Sequence, residues 1–421
     1  MFPRSRLSKI GVIVLLLVGI TGLAVAKHSA TTSPFLRLVM VDQVPNAIVV
    51  DTHTRKAFVT MIDSDPAKPG SVGIFDTETG APLHNSITGN SMIRFPAAEA
   101  VDWRTGRVLV VVNGDSSVHT IDARDGHLLN IVPVGHTPAS VVVSMQTGRV
   151  FVVRYAGTVS TKLDVLNSSS GGVRRTLTVP GQAMRMAVDE VANHVFVASW
   201  SPVGLNGSVS MLDARTGLIV RTVAVGRMPG ALAIDERTGR VFVVNRQSNS
   251  VSVLDARTGS VLRTTLVGRA SLAVTVDDRI SRAFILSSTG SMAVLDTMSG
   301  RVLQTLSIGQ RASAMAMDAR HARVIIAHTA LLDNKGHATG NGWVSELDAV
   351  TGRVLRVVPV QGDPRAIAVD EGTGHVIVGS KVTREQLIAP SWVPSWLQGL
   401  LPQSSTKPVQ GSVSILPIGA S

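Results

Sequence analysis

The chain has 421 residues, of which 44% are hydrophobic, 16% are charged and none is cysteine. This composition predicts a folded protein and excludes disulfide frameworks, cysteine-ligated metal centres and thiol nucleophiles. The net charge of +11 favours anionic partners, but only 4% of the residues are aromatic, so a base-stacking platform is poorly supplied and nucleic acid is not an expected partner.

The first 26 residues have the pattern of an export signal. Arg4, Arg6 and Lys9 precede an uncharged stretch over 10–26, which ends in the small-residue pattern Ala24-Val25-Ala26 of a signal peptidase site. The stretch is long for a cleaved signal and short for a transmembrane helix, so both a signal peptide and a membrane anchor fit it. We therefore expect a linker over 27–34 and an extracytoplasmic chain, secreted or held to the cytoplasmic membrane by residues 10–26 alone.

From residue 35 onward, one phrase recurs eight times, about 46 residues apart. In its clearest copy, Ala233-Ile234-Asp235 is followed by a Thr-Gly turn and then by the β-rich run 241–245. Each unit holds four short strand-like runs separated by turns, which is the content of one β-propeller blade. The anchor position of the phrase is occupied by Asp51, Asp102, Ser144, Asp189, Asp235, Asp277, Asp318 and Asp370.

The spacing Asp-x-x-Thr-Gly recurs at the turns, as in 76–80, 213–217, 255–259 and 348–352. An aspartate can bond the backbone two residues on, and glycine adopts the left-handed conformation that ends a short hairpin loop. We therefore interpret these aspartates as turn formers, not as catalytic groups or metal ligands.

The two ends of the repeat region predict how the ring closes. Residues 35–41 match the fourth strand of a blade, whereas the last repeat stops at 413–416 with only three strands. The N-terminal strand should complete the last blade, which gives one all-β propeller domain over 35–418 with eight four-stranded antiparallel blades. Seven blades is the alternative, if the first or last unit departs from the ring.

These repeats resemble the YVTN-type β-propeller repeat proteins. The run 242–245 stands where that family has Tyr-Val-Thr-Asn, and 250–255 and Val267-Gly268 follow it as the family's pattern requires. The resemblance implies a propeller like those of exported binding proteins and of quinoprotein amine dehydrogenase β-chains. WD repeats match less well. The docking tryptophan and vicinal cysteines of quinone-dependent propellers are absent, so we expect no cofactor.

In such a blade, the turns after strands one and three share one face, and the loops after strands two and four share the other. We call these the turn face and the loop face. All the long irregular segments, 60–71, 199–207, 328–343 and 380–411, should lie on the loop face, where function is expected. The last of these is an insertion with an apolar stripe over 392–401, which fits a plug on the propeller or a partner-docking segment.

Aligned repeats place a set of cations at the loop-face mouth of the central channel, where we predict an anion-binding site. Arg185 stands where other repeats have alanine or serine, and Glu99 is the only acid at its own repeat position. The competing interpretation is a structural Glu99–Arg185 ion pair or two solvated loop charges. The predicted ligand-binding residues are Arg94, His136, Arg185, Arg227, Arg269, Arg311, Arg365 and Glu99.

Two function classes fit the sequence. The first is a monomeric, non-catalytic extracytoplasmic module that binds an anionic small molecule, an acidic polymer or another exported protein. The second is a propeller-type enzyme, either a quinoprotein-like oxidoreductase or a lactone hydrolase in which Arg185 holds an oxyanion and Glu99 or His136 acts as base. No metal site and no catalytic motif is expected, since the histidines are scattered.

Overall fold

The computed structural model describes residues 23–26, 37–63, 68–84, 96–155, 160–332, 338–382 and 410–418. Over these ranges the chain is all-β, with eight four-stranded antiparallel blades in a ring and no helix. None of the described segments is a helix that could cross a membrane. The predicted β-propeller is confirmed, and it has eight blades.

Blades 1 to 7 follow one another along the chain, each running from its inner to its outer strand. Blades 1 to 3 contain β3 (Val44–Asp51), β4 (Lys56–Ile62), β5 (Ser71–Asp76), β6 (Pro82–His84), β7 (Pro96–Asp102), β8 (Arg107–Val112), β9 (Ser117–Asp122), β10 (Leu128–Pro133), β11 (Pro138–Ser144), β12 (Arg149–Tyr155), β13 (Ser160–Asn167) and β14 (Val173–Pro180). Blades 4 to 6 contain β15 (Gln182–Asp189), β16 (His194–Trp200), β17 (Gly207–Asp213), β18 (Ile219–Val225), β19 (Pro229–Asp235), β20 (Arg240–Asn245), β21 (Ser250–Asp255), β22 (Val261–Leu266), β23 (Ser271–Asp277), β24 (Arg282–Ser287), β25 (Ser291–Asp296) and β26 (Val302–Ser307). Blade 7 contains β27 (Ala312–Asp318), β28 (Arg323–His328), β31 (Trp343–Asp348) and β32 (Val354–Pro359), with the small ribbon β29 (Leu331–Leu332) and β30 (Ala338–Thr339) inserted.

Blade 8 is assembled from both ends of the chain. It contains β33 (Asp363–Asp370), β34 (His375–Lys381) and β35 (Gly411–Pro417), and its fourth strand is β2 (Arg37–Val41). The predicted closure is confirmed, since β2 pairs with β35 in a regular antiparallel register from Arg37↔Ile415 to Val41↔Gly411. A further strand, β1 (Leu23–Ala26), pairs with the outer edge of β2. The rest of the predicted targeting segment, the linker 27–34 and the apolar stripe of the 380–411 insertion lie outside the described residues.

The hydrophobic core lies between the blades, not within them. Eight clusters of buried side chains are present in the described part of the chain, and each joins two neighbouring blades, including blade 8 with blade 1. In five blades a phenylalanine at the third position of the second strand is fully buried in such a seam. The ring is therefore held by sheet faces packed against one another.

The aspartates of the repeat form turns, as predicted. The Oδ1 atom of Asp255 accepts from the backbone N–H of Thr258 at 2.8 Å, and Gly259 has a left-handed φ of 68°. The same arrangement in blade 7 lowers the pKa of Asp348, since the backbone N–H of Thr351 donates to its carboxylate at 2.7 Å.

A basic residue is the first residue of the second strand in every blade, and in five blades it bonds a backbone carbonyl oxygen of the next blade. In blade 2, Arg107 Nη1 donates to the carbonyl oxygen of Ser168 at 2.7 Å. In blade 8, His375 Nδ1 donates to the carbonyl oxygen of Thr77 at 2.7 Å, which joins the last blade to the first. Part of the positive charge of the chain is therefore structural. The basic residues that begin the second strands of the eight blades are Lys56, Arg107, Arg149, His194, Arg240, Arg282, Arg323 and His375.

We expect the substitution His375→Ala to lower the free energy of unfolding by about 1 kcal/mol, because it removes a hydrogen bond at the closing seam. Urea unfolding followed by circular dichroism measures this. The control His127→Ala changes an exposed histidine of a turn and should have no effect. Equal stability of the two variants would contradict the role of His375 in closure.

Candidate functional site

The loop-face cations are positioned by the junction that leads into each inner strand. In four blades the residue directly before the inner strand has a left-handed φ of 51 to 62°. These residues are Thr137, Met228, Ala270 and Arg311. His136, Arg227 and Arg269 precede three of these residues and are exposed. Because the junction recurs once per blade in a closed ring, these side chains are arranged around one axis.

A β-bulge follows in each inner strand and decides where the next side chains point. Arg365 is the extra residue of the bulge in blade 8, between the pairs Pro364↔Ser380 and Ala366↔Gly379, and it is exposed. Arg185 pairs with Ala198 just after the bulge of blade 4 and is also exposed. The structure thus places both arginines on inner strands and accessible to solvent.

Arg185 and Glu99 face different seams. Met186, next to Arg185, packs in the seam between blades 3 and 4, so Arg185 faces the side of blade 5. Glu99 and Val101 are two residues apart on β7 and therefore face the same side of the strand. Val101 packs in the seam between blades 1 and 2, so Glu99 faces blade 1. The Glu99–Arg185 ion pair of the competing interpretation is absent among the described residues, because neither carboxyl oxygen of Glu99 has a hydrogen-bond partner there. This arrangement gives no support to a shared lactone-hydrolase centre.

The Glu99 carboxyl group is buried in an apolar seam. Both of its oxygens are inaccessible to solvent, although the residue as a whole is half-buried. Burial raises the pKa of Glu99 well above its ordinary value. Glu99 therefore lies beside the channel as a buried acid, not as an exposed group at its mouth.

Two of the predicted ligand-binding residues remain, Arg311 and Arg94. Arg311 is half-buried, and its Nε donates to Thr329 Oγ1 at 3.1 Å, so part of its hydrogen-bonding capacity is used within the protein. Arg94 lies outside the described residues.

Arg246, a further exposed cation of this face, was not predicted from the sequence. Arg246 directly follows β20, and its backbone N–H donates to the Met228 carbonyl oxygen at 3.0 Å. A Cβ atom at Gly230, the bulge residue of blade 5, would lie 2.4 Å from Arg246 Cδ, so glycine makes room for this side chain. Alignment of the repeats could have identified this position, because Arg246 aligns with another cation, Lys381, at the end of the second strand of blade 8.

Chemically, an array of guanidinium groups binds carboxylates and phosphates, because it offers several charged donors in a planar fork. The described residues contain no group of three or more histidine, aspartate or glutamate side chains that could hold a metal ion.

Comparisons with known proteins bear on the fold alone. The sequence matches no family model, and no curated protein matches it. Among solved structures, the computationally designed Ika8 protein is similar over 90% of this chain and 98% of its own, with 16% identity and a TM-score of 0.63. BamB from Moraxella catarrhalis is similar over 91% of this chain and 98% of its own, with 14% identity and a TM-score of 0.60. At these identities, the likeness shows that the chain has a β-propeller fold, a scaffold suited to binding.

Proposed function

We propose that this chain is a non-catalytic, exported binding protein of the YVTN-repeat type, whose loop-face mouth binds anionic groups. The observation that carries the proposal is a set of exposed cations around the loop-face mouth. His136, Arg227 and Arg269 share one junction position of the repeat, and Arg185, Arg365 and Arg246 add cations from three other positions. The ligand is an anionic small molecule, an acidic polymer or an acidic patch of another exported protein. Nucleic acid is not part of the proposal, and the chain acts as a monomer.

The attraction for anions depends on how the cations of the loop-face mouth are arranged. Exposed charges on a convex surface are screened within about 8 Å at physiological salt. Charges around a concave mouth with protein walls act together, because the low-dielectric walls focus the field into the opening. The mouth therefore attracts anions more strongly than the same number of scattered arginines would.

Binding of polyphosphate, measured by isothermal titration calorimetry at several salt concentrations, tests the proposal. We expect the double substitution Arg227→Ala/Arg269→Ala to weaken binding at least about tenfold and to reduce the salt dependence. The matched control is Arg257→Ala, since Arg257 is an exposed arginine in the turn between β21 and β22, on the opposite face. Polyphosphate binding that both variants weaken equally, or that neither changes, would contradict a loop-face anion site.

Arg185→Ala separates a ligand role from a structural one. Alanine is the usual residue at this repeat position, so we expect the free energy of unfolding to change by less than about 0.5 kcal/mol. Polyphosphate affinity should nevertheless fall several-fold, because one guanidinium group of the mouth is lost. Marked destabilisation with unchanged affinity would assign Arg185 to the fold.

Export is tested separately. A reporter enzyme that is active only outside the cytoplasm, fused to the C-terminus, should be active when residues 1–26 are present and inactive when they are deleted. An inactive reporter fusion that is recovered from the cytoplasm although residues 1–26 are present would contradict export.

A further inference from the structure

A cavity of about 520 Å³ lies at the turn-face end of the central channel, on the face opposite the cationic mouth. It is formed by blades 7, 8 and 1, and the residues that define its chemistry are His53, Met317, Arg320, Val369 and Glu371. Its volume is within the range of small-molecule sites, about 300 to 1,000 Å³. Since it shares no residue with the loop-face mouth, it is a separate candidate site.

A pair of stacked aromatic rings borders this cavity. His53 lines it, and the His53 ring stacks on that of Trp103 from blade 2, with ring centroids 5.0 Å apart and an interplanar angle of 11°. The Trp103 residue is 50% exposed, and the His53 side chain is 61% exposed. A flat aromatic pair that is left in solvent is a platform for the apolar face of a ligand.

The aromatic pair stands where three other seams of this face have an inter-blade hydrogen bond. At those three seams, a carboxylate of one blade accepts from the backbone N–H of the blade before it, as Glu236 Oε1 does from Glu190 at 2.8 Å. Trp103 occupies the same repeat position as Glu190 and Glu236, directly after the anchor aspartate. The seam between blades 1 and 2 therefore has an exposed ring at a position that holds a bonding carboxylate in three other blades.

Donors and acceptors lie side by side on the other wall of the cavity. Arg320 Nη1 donates to the Glu371 carbonyl oxygen at 3.1 Å, and Glu371 Oε1 accepts from the Ala319 N–H at 3.0 Å. These bonds use one guanidinium nitrogen and one carboxylate oxygen, so both groups keep further hydrogen-bonding capacity. The two charges are opposite, so neither an anion nor a cation gains net attraction from this pair.

We propose that the turn-face cavity binds a neutral carbohydrate of the pyranose type. The C–H face of a sugar ring packs on the His53–Trp103 pair. Two neighbouring hydroxyl groups, each of which can donate and accept, bond to the Arg320 guanidinium and the Glu371 carboxylate. The proposal uses no residue of the loop-face mouth, so it stands or fails independently of the anion site.

Saturation-transfer difference NMR tests the proposal on the full chain. The probes are the methyl glycosides of glucose, galactose, mannose and N-acetylglucosamine. We expect at least one to bind with a dissociation constant of about 1 mM. Inorganic phosphate should not compete with the bound glycoside. Absence of saturation transfer to all four glycosides, or displacement of a bound glycoside by phosphate, would overturn the assignment of a neutral sugar.

Matched variants locate the site. His53→Ala and Arg320→Ala should each weaken binding of the same glycoside at least about tenfold. Trp103→Ala should do the same, whereas Trp103→Phe keeps an aromatic platform and most of the affinity. The control Val191→Ala changes the exposed residue of blade 4 at the repeat position of His53.

Arg279→Ala is the control for Arg320→Ala. Arg279 occupies the same repeat position in blade 6 and makes the same kind of inter-blade bond, from Nη1 to the Ala319 carbonyl oxygen at 3.3 Å. Both controls should bind the glycoside as the unmodified protein does. Equal losses in controls and cavity variants, or a loss found only in Arg227→Ala/Arg269→Ala, would overturn the placement on the turn face.

Discussion

Replacing Glu99 with leucine should stabilise the propeller at neutral pH by about 2 to 4 kcal/mol. The substitution removes a buried carboxyl group whose oxygens have no hydrogen-bond partner among the described residues, and it places an apolar side chain in an apolar seam. The other blades indicate that the site accepts such a residue. At the same register position they have Ile48, Val141, Met186, Leu232, Val274, Met315 and Ile367.

The gain from Glu99→Leu should depend on pH. Burial raises the pKa of Glu99 well above its ordinary value of 4.5, so the folded state holds this proton more tightly than the unfolded state does. As pH rises above 4.5, the unfolded chain releases the proton first, and the stability of the unmodified protein falls until Glu99 ionises in the folded state as well. The leucine variant lacks this loss. The stability difference between the two proteins should therefore widen as the pH rises from 4 to 8.

Urea unfolding at pH 4, 6 and 8 measures this difference. Glu99→Gln is the control, because it removes the ionisation but keeps a buried polar group. The stability difference between the glutamine and leucine variants should therefore be independent of pH. The glutamine variant should still retain part of the cost of burying a polar group. In the reverse experiment, Met186→Glu at the equivalent position of blade 4 should destabilise the protein. A destabilised leucine variant, or a difference that is the same at every pH, would refute this account of Glu99.

The second large effect is expected at Glu190, which replaces a missing aspartate of the neighbouring blade. Blade 3 is the one blade whose anchor position is Ser144 and not aspartate. The Glu190 carboxylate reaches across from blade 4 and accepts from Met145 N at 2.6 Å, from Gln146 N at 3.2 Å and from Ser144 Oγ at 3.2 Å. It thereby supplies the carboxylate that the blade 3 turn lacks.

Glu190→Ala should therefore lower the free energy of unfolding by about 2 to 3 kcal/mol, because two backbone N–H groups and a hydroxyl lose a charged acceptor. Ser144→Asp alone should also destabilise, since it places a second carboxylate beside that of Glu190. The double variant Ser144→Asp/Glu190→Ala should recover much of the loss, because the turn regains the carboxylate that the other blades have.

A double-mutant cycle by urea unfolding measures this coupling. Glu236→Ala is the matched control. Glu236 makes a similar contact to Glu190 N, but blade 4 has its own anchor aspartate, so this variant should cost less. Additive effects of Ser144→Asp and Glu190→Ala would contradict the replacement of one carboxylate by the other.

The repeat by itself predicted eight blades, with seven as the alternative, together with the turn chemistry and the closure of the ring. The turn chemistry depends on residues that are near one another in the chain, such as Asp255 and the Thr258 N–H that it bonds. The match of residues 35–41 to a fourth strand was sufficient to predict the β2–β35 pairing. The exposure of His136, Arg227 and Arg269 follows from one junction position of the repeat, whereas Arg246 was not predicted.

Only the tertiary structure decided which way individual side chains face. Glu99 and Arg185 both follow the bulge of their inner strands and are one repeat position apart, and the packing of the seams shows that Glu99 faces blade 1 and Arg185 faces blade 5. Contacts across seams, such as that between Glu190 and Met145, join residues that are distant in sequence and exist only when the ring is closed. The turn face appeared uniform in the sequence for this reason. Its carboxylate bonds at three seams, and the His53–Trp103 stack at another, depend on how neighbouring blades meet.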